Sequence, residues 1–242
     1  LGGFYFVVML VAAQFIKKPR SHELPPAIAK NAERISLTGH ELTANQALRT
    51  RTFAFLWFMF FINITTGIGL VSAASPMAQD MTTMTASAAA VMVGIIGLFN
   101  GFGRLAWATL SDFIGRPLTY SLIFVLDIVM LFVLLLFKAP FIFALALCLL
   151  MSCYGAGFSV IPAYLGDVFG TKELGAIHGY ILTAWAIAGM VGPLLLSYTH
   201  QVLHNYYVTL IVFIIIDALA MIVSLLIQRD FVTHRQTKLV IK

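Results

Sequence analysis

Residues 100–117 read NGFGRLAWATLSDFIGRP, and how this stretch is read decides how the rest of the chain is read. Its first half is apolar but for Asn100 and one cation, Arg104. Its second half closes on Asp112, Gly115 and Arg116, and from Leu118 onward the chain turns apolar again. An apolar segment, a short polar turn and a second apolar segment are the pattern of two membrane crossings joined at one surface. Outward from this hairpin the pattern repeats. Residues 53–74, 87–109, 118–137, 140–165, 174–198 and 206–228, spans one to six, are each long enough to cross, since a hydrocarbon core about 30 Å thick takes about 20 apolar residues. Together they hold three formal charges, Arg104, Asp127 and Asp217, and the other charged residues fall in connections and tails. Lipid imposes that segregation.

Composition agrees: 60% of the 242 residues are hydrophobic and only 10% charged, with a mean hydropathy of +0.95. This excludes a water-soluble fold. The two cysteines, Cys148 and Cys153, lie in one apolar run and support neither a disulfide scaffold nor a cysteine-based metal site. Residues 1–16 are apolar and end before Lys17, Lys18 and Arg20. A signal peptide carries its charge on the other side, so this run reads as the end of a preceding transmembrane helix and implies a missing N-terminal half. Residues 17–52 read as a linker, with a capping box at Thr43 and Gln46 opening a short helix into span one. With that linker in the cytoplasm, 13 Lys and Arg fall on the cytoplasmic side and only Lys138 outside. The positive-inside rule therefore predicts a multi-pass protein of the cell membrane with linker and C-terminal tail, 229–242, both cytoplasmic. Outer loops fall near 75–86, 138–139 and 199–205, with Tyr198, Tyr206 and Tyr207 as interfacial anchors.

No stretch matches GxxxxGK[ST], HExxH, GxSxG or GxGxxG, so neither enzymatic chemistry nor ATP-driven transport by this chain is expected, and no cofactor is implied. Glycines recur in spans two, four and five, where small residues permit close helix contact. Pro162 and Pro193 allow bending late in spans four and five. Arg104 precedes Asp112 by eight residues, which places it about 12 Å inside the boundary at about 1.5 Å per residue. Burial at that depth costs about 2.5–3.5 kcal/mol on insertion scales. A guanidinium pairs bidentately with a carboxylate, so an anionic substrate explains the residue economically; pairing with an acid or helix carbonyls inside the bundle is the alternative. Asp127 and Asp217, near the middles of spans three and six, read either as carboxyls that carry a proton with the substrate or as neutral, hydrogen-bonded structural acids. His200 and His204 have ligand spacing but no third ligand nearby, so no metal site is expected.

On these residues the chain resembles the major facilitator superfamily, whose loop between the second and third helix of each half carries Gly, three residues, Asp, a basic residue, any residue, Gly, Arg and a basic residue. Asp112, Gly115 and Arg116 match this conformational-gating motif, while Ala108, Phe113 and Pro117 depart from it, as in second halves, which implies a weakened lock. The stretches QALRT (46–50), FNGFGR (99–104), LSDFIGR (110–116), DVFG (167–170) and GYILTAWAIAGMVGP (179–193) resemble, within that superfamily, the oxalate/formate antiporter group of organic-anion transporters. The resemblance implies an all-α integral membrane fold, a six-transmembrane-helix bundle forming the second half of a twelve-helix carrier. It implies a substrate site at Arg104, with Asn100 in the same matching stretch and an aromatic pair at Tyr154 and Phe158. The group's second cation, a lysine, falls on Trp185, so one cation with aromatic walls is expected to suit a monocarboxylate better than a dicarboxylate.

The reading is a secondary active transporter moving small organic anions by alternating access, with the bilayer and a six-helix N-terminal half as partners and no nucleic acid. A dicarboxylate/formate-type exchanger and a non-transporting membrane sensor or scaffold are the alternatives. A channel would need a more polar lining than these spans offer.

Overall fold

The computed structural model describes residues 2–15 and 41–240, which form nine helices. These are α1 (Gly2–Phe15), α2 (Ala44–Leu48), α3 (Arg51–Ser72), α4 (Ala74–Met81), α5 (Ala86–Ile114), α6 (Arg116–Leu136), α7 (Pro140–Phe169), α8 (Leu174–Leu203) and α9 (Tyr207–Val240). Most of the linker, residues 16–40, lies outside the described residues.

Capping residues set the starts. Thr43 and Gln46 form the expected box around α2, with the Thr43 amide donating to Gln46 Oε1 at 2.9 Å. Thr50 Oγ1 accepts from the Phe53 amide to open α3, and Thr85 Oγ1 accepts from the Ala88 amide to open α5. Pro117 and Pro140 occupy first-turn positions where no amide donor is needed. Two turns demand glycine: Gly115, between α5 and α6, has φ +89°, and Gly170, after α7, has φ +86°.

The six spans correspond to α3 and α5–α9, each long and apolar enough to cross a membrane. Two findings correct the sequence reading, the helix within 75–86 and the burial of Tyr206. The expected outer loop near 75–86 contains a helix, α4, whose buried Met77, Ala78 and Met81 pack into the bundle. The last crossing, Tyr207–Arg229, agrees with the expected span, and its helix runs on to Val240. Tyr206 is not an interfacial anchor: it is 3% exposed and stacks on the His200 ring at 4.3 Å, while Tyr198 remains exposed.

Packing is closest between α5 and α7, α3 and α8, and α6 and α9. Glycines set the first two contacts. A Cβ on Gly103 would stand 2.6 Å from the Ser152 backbone, and one on Gly155 would stand 2.3 Å from the Asn100 carbonyl. Where α3 crosses α8, a Cβ on Gly192 would meet the Thr65 carbonyl at 2.5 Å. Gly94, Gly97, Gly101, Gly175 and Gly179 face open space and pack against nothing in this bundle.

The linker end is tied to the α7–α8 turn. The Leu42 amide donates to the Phe169 carbonyl at 3.0 Å, and the Ala44 amide donates to Glu173 Oε2 at 2.7 Å.

Candidate functional site

α5 presents Arg104 on an exposed face, one turn beyond Asn100. Arg104 Nε donates to Asn100 Oδ1 at 3.4 Å, and the guanidinium carbon lies 5.0 Å from the centre of the Phe158 ring. That is cation–π distance, and it holds the charge against an aromatic plate. Among the described residues no carboxylate stands within ion-pair distance of Arg104.

The expected aromatic pair forms. Tyr154 and Phe158 share a face of α7, with centroids 5.5 Å apart, edge to face. Phe158 touches Trp185 of α8 at 5.7 Å, again edge to face. Arg104, Asn100, Tyr154, Phe158 and Trp185 thus form one contiguous set on three helices. Gly67 of α3 makes room for it: a Cβ there would stand 2.2 Å from the Tyr154 ring. Gly101 leaves open space beside Arg104, whereas the space beside Gly103 is taken by Ser152. Glycines at both positions look alike in sequence, and only the helix azimuth separates them.

Sequence reasoning missed the contribution of α3. Phe60 meets Phe158 at 5.5 Å, and Trp57 stacks on Phe61 at 5.4 Å with planes 11° apart. Trp57 Nε1 donates to Thr183 Oγ1 at 2.9 Å, tying α3 to α8. The aromatic run from Phe53 to Phe61 was the available signal, but in so apolar a segment it does not stand out from lipid-facing residues.

At the Gly115 turn, Arg116 Nη2 pairs with Asp112 Oδ1 at 2.5 Å and Nε pairs with Asp167 Oδ2 at 3.4 Å. Its Nη1 also donates to Ser111 Oγ. The motif's core residues therefore clasp the end of α7 despite the substitutions at Ala108, Phe113 and Pro117. Asp167, its partner from 51 residues away, lies in the DVFG stretch but was not foreseen in this role.

At the opposite end His200 Nε2 lies 3.2 Å from Asp80 Oδ2, not beside a metal-ligand set with His204. Among the described residues no group of three His, Cys, Asp or Glu is gathered for a metal.

Six apolar helices, each long enough to cross a membrane, define a polytopic all-α membrane protein. The sequence matches the Major Facilitator Superfamily over residues 1–193 and again over 56–240, and the chain belongs to that family. It is 29% identical to the oxalate:formate antiporter of Oxalobacter formigenes over 162 residues, which cover 66% of this chain and 38% of that protein. It is 32% identical to the apicoplast pyruvate carrier 1 of Toxoplasma gondii over 176 residues, covering 64% of this chain and 31% of the carrier. The fold matches a crystal structure of the Escherichia coli fucose:proton symporter at a TM-score of 0.69 and 13% identity, over 90% of this chain and 51% of the symporter. The chain thus spans roughly a third of the curated relatives it matches and about half of that symporter.

Proposed function

We propose that this chain is the C-terminal half of a carrier for small monocarboxylates, working by alternating access against a second six-helix half in the cell membrane. The carrying observation is Arg104: an arginine with no acidic partner among the described residues, resting on Phe158 and steadied by Asn100. A charge so placed needs an anion to complete it, and a planar guanidinium fits a carboxylate. Trp185 supports a singly charged substrate, because it puts an aromatic ring where the related group carries a second cation. The named relatives, an oxalate:formate antiporter and a pyruvate carrier, both move small carboxylates. Exposed apolar residues on α5 and α8, such as Phe102, Leu105, Met190 and Leu194, offer the second half a surface.

In this reading the linker and C-terminal segment lie in the cytoplasm, and the Arg116 cluster fastens the cytoplasmic ends of α5, α6 and α7. The test is counterflow in proteoliposomes containing both halves. Labelled pyruvate or formate is expected to exchange saturably and to stop exchanging in Arg104→Ala. Non-saturable flux, or exchange unaffected by that substitution, contradicts the proposal.

A further inference from the structure

Four helices meet at a buried polar cluster that the anion site does not use. α3 brings Asn63 and Thr66, α6 brings Asp127, α7 brings Cys153 and α9 brings Asp217. Asp127 is 2% exposed and Asp217 0%. Thr66 Oγ1 donates to Asp217 Oδ1 at 3.1 Å, and Asn63 Nδ2 donates to the Cys153 carbonyl at 3.3 Å. The Asp127 carboxyl faces the side chains of Asn63 and Cys153, and the two acids lie near enough to interact with each other. Asp217 Oδ2 is fully buried and has no hydrogen-bond partner among the described residues. No Lys, Arg or His among them pairs with either acid.

Buried carboxylates are stable when paired with a cation, ligated to a metal or neutralised by protons. The cluster supplies no basic side chain and no three-ligand metal set. Protons remain as the compensating charge, and the unpartnered Oδ2 of Asp217 is an oxygen where one can sit. We propose that Asp127 and Asp217 form a proton-binding pair, a site separate from Arg104 whose protons exchange with water when the bundle rearranges.

The surroundings explain why exchange is tied to rearrangement. Among the described residues the one other titratable side chain facing the pair is Cys153 of α7; α3 contributes only Asn63 and Thr66, which do not titrate. Every one of these groups is buried, so water reaches the pair only when α6 and α9 part from α3 and α7. The pair also adjoins the anion site through the chain itself. Cys153 faces the acids and its neighbour Tyr154 lines the site, while Thr66 bonds Asp217 and its neighbour Gly67 seats the Tyr154 ring. A ligand that displaces Tyr154 therefore presses on both walls of the acid pair. This last link rests on the reading of Arg104 as an anion site; the proton site does not.

Infrared spectroscopy of the purified protein in lipid, recorded with no substrate, tests the pair without relying on transport. A carboxyl carbonyl stretch from protonated acid is expected at neutral pH. It should shift in heavy water, showing exchange, and disappear in the protein carrying both Asp127→Asn and Asp217→Asn, whose amides mimic the protonated acids. If the double variant does not fold, the heavy-water shift in the wild-type protein, with Asp217→Asn alone removing part of the band, makes the assignment. No such band, a band untouched by these substitutions, or a band that never exchanges overturns the proposal. A metal cation held in place of protons would give the first of these outcomes.

Discussion

α3 and α7 bury 61% and 56% of their most apolar windows inside the bundle, whereas α5 and α8 bury 22% and 28%. Hydropathy does not account for the difference: α9 is the most apolar helix at 3.0 and buries 39%, while α5 and α8 are least apolar at 1.7. In lipid an apolar side chain gains little by turning inward, so burial follows close packing and polar satisfaction. α3 and α7 carry the groups that need burial or partners, Asn63, Thr66, Cys153 and the close-packing Gly155. α5 and α8 leave Arg104, Asn100 and Trp185 on open faces. The inner pair is a scaffold that also supplies the aromatic wall of Tyr154 and Phe158, and the outer pair presents Arg104 and Trp185.

The largest effect this division predicts is loss of transport by residues 1–242 alone. Alternating access needs two halves closing over one site, so liposomes containing only this chain should show no saturable uptake of pyruvate or formate. Substrate-specific uptake by the monomeric chain would erase the distinction between scaffold and presenting face.

Glycine substitutions sharpen the contrast between buried and open helix faces. Gly103→Val forces a side chain into the Ser152 backbone, and overpacking of this kind costs about 1–3 kcal/mol. Gly97→Val adds a side chain in open space, and substitutions away from packed features stay within about 0.5 kcal/mol. Thermal unfolding of residues 1–242 in detergent should show a clear drop for the first and little change for the second. Equal drops would contradict the packing described.

The sequence carried the membrane architecture and much of the site, for reasons visible in particular residues. Charges outside the six runs marked the crossings, and Arg104 stood out because no other Lys or Arg lies within them. The spacing of Tyr154 and Phe158 placed both on one helical face. Helix ends were read short at α5, α7 and α8, where polar residues such as Ser111, Asp112 and Asp167 continue the helix beyond the apolar run. Pairings between distant positions were illegible: Asp167 with Arg116, Trp57 with Thr183 and Tyr206 with His200 depend on how helices cross. Which glycines pack and which face open space depends on the same azimuths.

A change of substrate preference tests the open face itself. Trp185→Lys places a second cation beside Phe158 and should shift the ratio of oxalate to pyruvate transport upward by roughly tenfold, because a doubly negative ligand facing one cation keeps one charge unpaired. An unchanged ratio in competition assays would remove Trp185 from the site. A smaller effect is expected where the linker meets the bundle. Glu173→Ala removes the carboxylate that accepts from the Ala44 amide and should cost about 1 kcal/mol, the scale of a lost helix cap. Faster proteolysis near residues 41–48 would report it, and unchanged cleavage would show that this contact holds nothing.

The central claim is that Arg104 binds the substrate carboxylate, and substrate-induced thermal stabilisation of purified protein tests it most directly. Pyruvate or formate should stabilise the wild-type protein. Arg104→Lys should weaken binding by roughly 1–3 kcal/mol, since an ammonium cannot reproduce the paired, charge-assisted hydrogen bonds of a guanidinium, and Arg104→Ala should abolish the stabilisation while leaving the unliganded melting temperature close to wild type. An Arg104→Ala protein that folds normally and is stabilised by the anion to the same degree as wild type would contradict the account.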